Sequence, residues 1–186
     1  NIDFLGRGVN IRKSPNVKMT DCVIFGAYSG AGIGLDNSVG ATLVRCEVGR
    51  TFTGTTSGGD GINIHSDYPS RNTAKCSTAT LIDCYSHDNN DDGYSDHENC
   101  EVTIIGGLYE QNRKGGLTPA YGAHDTYYNV TVQDNAQYAI GMVGGVAFEE
   151  GGIGGQTIAH ACLSRYNKVN YYVSGAGGTG GHPNWL

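Results

Sequence analysis

The chain has 186 residues, 30 of them Gly and four Pro, with a net charge of −6 and a pI near 5.4. No strict Gly-X-Y period exists, which excludes collagen; no apolar run approaches the ~20 residues of a membrane helix; and an acidic chain with 12 Lys and Arg is a poor match for nucleic-acid phosphates. Charged residues make up only 16% beside many Ile, Val and Leu, which argues for one folded domain rather than a disordered chain.

Short β patterns recur in chain order. Gly8-Val-Asn-Ile is followed by Asp21-Cys22, then Gly32-Ile-Gly-Leu by Arg45-Cys46, and Gly61-Ile-Asn-Ile by Asp83-Cys84. Gly93-Tyr-Ser-Asp precedes Gly106-Gly107, and Gly116-Leu-Thr-Pro precedes Asn129-Val130. Ala139-Ile-Gly-Met continues the first motif before Ala161-Cys162, and Tyr171-Tyr-Val-Ser closes it. The two motifs are 14 residues apart at 8–22, 32–46, 93–107 and 116–130, and the return step is 9 at 84–93 and 107–116, so one coil is 23 residues. An Asn stands five residues after the second motif at Asn89, Asn112, Asn135 and Asn167. Extra residues at 52–60, 66–77 and 144–155 read as loop insertions.

Strands this short cannot bury a face alone, so successive coils must stack. A 23-residue coil with a recurring turn Asn resembles the right-handed parallel β-helix of the pectate-lyase-like superfamily. The implied fold is all-β: a right-handed parallel β-helix of about seven coils over 1–174, with a Gly-rich exit segment at 175–186. The recurring Asn is expected to take the left-handed backbone region and to bond along the stack. Cys22, Cys46 and Cys84 are expected to form a ladder of reduced core thiols, which points to folding in a reducing compartment.

Strand alternation directs the first and third residues after each Gly inward and the second and fourth outward. The third position reads Ile11, Leu35, Ile64, Asp96, Pro119 and Met142, so Asp96 is a carboxylate aimed at the core. The fourth puts His65 and His97 outward on adjacent coils, beside Asn63, Ser95 and Thr118 of the second. Glu98 and Tyr121 follow, and Tyr68, Tyr121, Tyr127 and Tyr128 offer aromatic faces to sugars. Asn63, Ser95, Thr118, Tyr121, Tyr68 and His124 form the candidate substrate-binding set.

The stretch Gly93-Tyr-Ser-Asp96-His97-Glu98 resembles the Tyr-Gly-Phe-Asp-Pro-His-Glu segment of alginate C5-epimerases, without its Pro. The resemblance implies catalytic roles for Asp96, His97 and Tyr94, with Glu98 matching the terminal Glu; His65, outward beside His97 by strand alternation, completes the candidate catalytic set. In lyase or epimerase chemistry Asp96 would neutralise a uronate carboxylate. His65 or His97 would then take the proton, and Tyr94 or Tyr121 would return one. A hydrolase would instead pair two carboxylates, Asp96 with Glu98, Asp92 or Asp125. Asp88-Asn-Asn90-Asp-Asp92-Gly93 begins like a calcium loop but reaches Asn99 where the closing Glu belongs. No metal or cofactor is therefore assigned, with calcium kept as an alternative. Asp91 and Lys114 share a position on adjacent coils, which predicts a surface ion pair.

The coil pattern, the 93–98 stretch, the free thiols and the acidic surface together resemble a bacteriophage tail spike or capsule depolymerase. That implies a homotrimer on a virion tail, or a secreted protein, which binds and cleaves an acidic bacterial surface polysaccharide by lyase or hydrolase chemistry. Nucleic acid and membrane insertion are not expected. The alternatives are a non-catalytic stem or glycan-binding adhesin, and a secreted polyuronate lyase or C5-epimerase.

Overall fold

A computed structural model of the chain describes residues 8–28, 30–54, 58–66, 77–97, 99–120, 122–136, 144–150 and 156–175. The first coil contributes β1 (Val9–Arg12), β2 (Lys18–Thr20) and β3 (Val23–Phe25), and the second β4 (Ile33–Asp36), β5 (Ala41–Val44) and β6 (Glu47–Gly49). The third has β7 (Ile62–His65), β8 (Thr78–Ile82) and β9 (Tyr85–His87), and the fourth β10 (Tyr94–Asp96), β11 (Glu101–Ile105) and β12 (Leu108–Glu110). Then come β13 (Leu117–Pro119), β14 (His124–Tyr128) and β15 (Thr131–Gln133), then β16 (Gly144–Glu150), β17 (Gln156–His160) and β18 (Leu163–Arg165), and finally β19 (Val169–Gly175). No helix occurs among the described residues. Every third strand joins the same parallel sheet: β1-β4-β7-β10-β13-β16-β19 form the first, β2-β5-β8-β11-β14-β17 the second and β3-β6-β9-β12-β15-β18 the third. Three parallel sheets fed in rotation are consistent with a parallel β-helix.

The repeat predicts the register. Val9, Ile33, Ile62, Tyr94 and Leu117 are partners in the first sheet. The residues after Cys22, Cys46, Cys84, Gly107, Val130 and Cys162 are partners in the third. Inward ladders of Ile33 with Ile62, Leu35 with Ile64, and Leu43 with Leu81 and Ile104 are fully buried, each side chain contributing about 1.5–3 kcal/mol of transfer energy. Cys46 and Cys84 lie in this core as free thiols and Cys22 and Cys162 pack against it, as the Cys column predicts; Cys76 lies outside the described residues. Burial raises the Cys46 thiol and pushes Cys84 up to about 11.

The later coils correct two readings. Val146, not Ile140, is the register partner of Leu117, and Tyr171 pairs with Val146 where the motif put Tyr172. Residues 144–150, read as insertion, form a strand of the first sheet, so most of that coil's extra residues precede it. Within 175–186, Gly175 is the last residue of β19, and 176–186 lie outside the described residues.

Single left-handed residues turn the corners between sheets. Asp21, Arg45, Asp83, Asn129 and Ala161, with φ from 48° to 55°, separate the second sheet from the third. The third sheet ends on Asp88, Gln111, Asp134 and Tyr166, with φ from 53° to 56°. The recurring Asn therefore does not take the left-handed region itself; the residue before it does. With the corner already turned, the Asn side chain enters the stack. Asn89 Nδ2 donates to Asn112 Oδ1 (2.8 Å), Asn112 Nδ2 to Asn135 Oδ1 (3.0 Å), and Asn135 Nδ2 to Asn167 Oδ1 (2.9 Å). The backbone N–H of Asn112 and of Asn135 donates to the same acceptors at 2.9 Å each. The ladder also explains the recurrent Gly: a Cβ on Gly93 would stand 2.6 Å from Asn112 Nδ2 and 2.8 Å from the Gly116 carbonyl oxygen.

Asn112→Ala should strand the buried backbone N–H of Asn89, at about 1–3 kcal/mol, and take one bond each from Asn89 Nδ2, Asn135 Oδ1 and the Ser86 carbonyl, which keep other partners or lose a weaker contact. The expected result is a fall of about 10 °C in Tm by circular dichroism. An unchanged Tm would show that the ladder does not hold the coils together.

Candidate functional site

The first sheet's outward face carries the polar strip that strand alternation predicts. His65 and His97 stack with ring centroids 4.6 Å apart and planes 9° from parallel. Burial, and then His65, push His97 down to about 4, so its ring is neutral near pH 7. Ser95 Oγ lies 2.8 Å from His97 Nε2. Asn63 Nδ2 donates to Ser95 Oγ (3.4 Å), leaving the Ser95 hydroxyl proton for His97. Thr118 takes the same register on the next coil.

The strip leads to an acidic cluster. Asn63 Nδ2 also donates to Asp60 Oδ2 (2.8 Å), and Asp60 Oδ1 accepts from the Asp92 backbone N–H (3.2 Å). Asp60 and Asp92 precede the repeat's Gly on adjacent coils, where the Gly61 N–H donates to the Asp92 carbonyl, so the register stacks them. Asp91 joins them, and the three carboxylates bring oxygens within 4.8 Å of one another. Like charges facing each other across a sheet cost stability. Part of the cost is offset: Lys114 Nζ lies 2.5 Å from Asp91 Oδ1, Gly115 N–H donates to Asp92 Oδ1 (2.6 Å), and Gly58 N–H donates to Asp91 Oδ2. The rest appears as retained protons. Burial, and then Asp91, push Asp60 up to about 6; burial, and then Asp60 and Asp91, hold Asp92 well above the usual carboxylate range.

The Asp91–Lys114 pair exists as predicted, but it is largely withdrawn from water, with side chains 7% and 22% exposed. The calcium-like stretch does not converge on one point. Asp88 bonds to His87 (2.8 Å), Asn90 reaches the Gly58 carbonyl (3.0 Å), and Asp92 holds Gly115. The acidic trio is the metal-capable group among the described residues, and the Lys114 ammonium already lies against it.

Asp96 points inward, as alternation predicts, and is fully buried with Tyr94. Across the core it faces Asp125, whose Oδ2 accepts from the hydroxyls of Tyr94 (3.0 Å) and Tyr127 (2.6 Å). Burial first, and then the Asp125 charge, hold Asp96 well above its ordinary value; burial pushes Asp125 up to about 7. Asp96 and Tyr94 are thus on the opposite side of the strand from Ser95 and His97. Tyr127 is fully buried and offers no face to a sugar, whereas Tyr128 points outward and is 39% exposed. His124 is exposed on the second sheet, apart from this strip. Glu98, Tyr68, Tyr121 and most of the 66–77 insertion lie outside the described residues.

The structure therefore brings His65, His97, Asn63, Ser95 and Thr118 onto one face. It adds Asp60, which the sequence reading passed over, and Asp91, read only as half of an ion pair. The available signal was Asp-Gly in the same slot of two neighbouring coils, at Asp60-Gly61 and Asp92-Gly93. No protein-family model matches the chain, and neither a curated protein nor a solved structure matches it.

Proposed function

We propose that the chain is a carbohydrate-active, right-handed parallel β-helix that hydrolyses a glycosidic bond of a bacterial surface polysaccharide. The observation that carries this reading is the Asp60–Asp91–Asp92 cluster. Glycoside hydrolysis needs one carboxyl that keeps a proton near neutrality and one that does not. Asp92, buried beside two like charges, favours its protonated form and would supply that proton to the leaving oxygen. Asp91, ion-paired with Lys114, supplies the carboxylate on the reacting carbon's side, acting directly or through water. Asp60 links the cluster to the polar strip, through Asn63 on one side and the Asp92 backbone N–H on the other. The strip of Asn63, Ser95, Thr118 and the stacked histidines binds the neighbouring sugar by its hydroxyls. The tail-spike resemblance of the coil pattern supports a bacterial surface glycan as the substrate.

The test is incubation with a panel of acidic and neutral bacterial polysaccharides, following reducing ends, chain length and the ultraviolet absorbance of unsaturated uronates. New reducing ends without absorbance support hydrolysis. An absorbance gain would replace it with β-elimination, for which neutral His97 is the nearest base. Neither signal, with glycan binding retained, would make the protein an adhesin or stem.

A further inference from the structure

The second sheet carries a separate groove of about 380 Å³ on its outward face. That is within the ~300–1,000 Å³ of small-ligand clefts. Its floor is a threonine ladder: Thr42 pairs with Thr80, Thr80 with Thr103, and Thr103 with Thr126. Parallel strands lie about 4.8 Å apart, so four hydroxyls and four methyls repeat at that spacing along the stack. None of these hydroxyls is engaged by another described residue. Thr78, Glu101 and His124 form one lip, in register with each other. On the other side the register runs Val44, Ile82, Ile105, Tyr128, with Ile105 38% and Tyr128 39% exposed. Tyr128 is held flat against His160, with centroids 4.9 Å apart and planes at 8°.

We infer that this groove binds an uncharged, hydroxyl-rich glycan segment lying along the stack. A pyranose chain has hydroxyl edges and C–H faces; the groove offers the hydroxyl row, and just outside it, two residues further along the same outward face, runs the apolar row with the exposed Ile105 and Tyr128. Glu101 on the lip, within a chain of net charge −6, disfavours a polyanion here. The inference stands apart from the hydrolase reading, since binding in this groove needs none of the acidic cluster.

The experiment is native affinity electrophoresis in gels cast with laminarin, dextran or xyloglucan, and with polygalacturonate as the acidic comparison. The Asp92→Asn protein is used, so cleavage cannot disturb the gel and loss of hydrolysis cannot be mistaken for loss of binding. Retardation is expected in at least one neutral gel. It should weaken about tenfold or more in Thr80→Val/Thr103→Val, which removes two hydroxyls and keeps shape and β-propensity. Tyr128→Ala should weaken it as well, and circular dichroism checks that each variant is folded. No retardation in any neutral gel overturns the inference. So does retardation only by polygalacturonate, or retardation indifferent to both variants. A change in sedimentation coefficient in the threonine variant would also overturn it, by making this face a contact between copies of the chain.

Discussion

Asp92→Asn should lower glycan cleavage by about a hundred- to ten-thousand-fold, the usual worth of a positioned acid or base, with little change in Tm. Asn keeps the oxygen that accepts from Gly115 N–H and removes one of three facing carboxyls, so folding has no reason to suffer. What disappears is the proton that the cluster retains near neutrality. In the parent protein the rate should fall as pH rises past about 6, where Asp60 begins to ionise, and further as the higher-lying Asp92 follows. That limb belongs to the cluster rather than to one residue. Lys114→Met supplies the directional check. The Lys114 charge lowers both Asp60 and Asp92, so its removal should move the alkaline limb to higher pH. Initial rates across pH 4 to 9 for the three proteins read this directly. A limb unmoved in Lys114→Met, or full turnover in Asp92→Asn, would take the chemistry elsewhere.

The second large effect concerns stability. Asp96→Asn should raise Tm at pH 8 by about 5–10 °C and change it little at pH 4. The sign follows from the direction of the shifts. Asp96 and Asp125 bind protons more tightly when folded than when unfolded, so their contribution is complete below the ordinary value of 3.8 and drains away as pH climbs toward about 7. At 1.36 kcal/mol per pH unit, the loss for Asp125 approaches about 4 kcal/mol. An amide at position 96 is neutral in both states, so folding at high pH no longer requires that side chain to take up a proton. Thermal melts from pH 4 to 9 should therefore show a falling curve for the parent and a flatter one for the variant. Parallel curves would mean that the two carboxyls do not share the core as described.

Residues obeying the two-residue alternation of a strand were legible without coordinates. The inward aim of Asp96, the stacking of His65 on His97 and the outward row of Asn63, Ser95 and Thr118 all follow from it, and the Cys column follows from the 23-residue repeat. Asp60 escaped because it stands in the corner before a strand, where alternation does not apply, and its partners arrive only when the next coil is laid on top. Asn89 and its equivalents were assigned the left-handed turn because Asn tolerates it, yet Asp88, Gln111, Asp134 and Tyr166 take that strain and free the amides for the stack. The sixth coil misled for a simpler reason. Ala139-Ile-Gly-Met imitates the motif at the right spacing, and three residues cannot fix a register that Val146 settles by pairing with both Leu117 and Tyr171.

The hydrogen bonds of all three sheets, and of the Asn ladder, run along the stacking direction. A pull on the chain from one end would therefore load only the outermost turn, three short ladders and one amide rung at a time. The molecule should come apart like thread drawn from a spool. Each release would free one repeat, for a 23-residue turn ~80 Å of extended chain. The same geometry sheds a sideways load across every turn at once, because no single ladder carries it alone. Such a body is weak to traction at its tips and stiff across its waist.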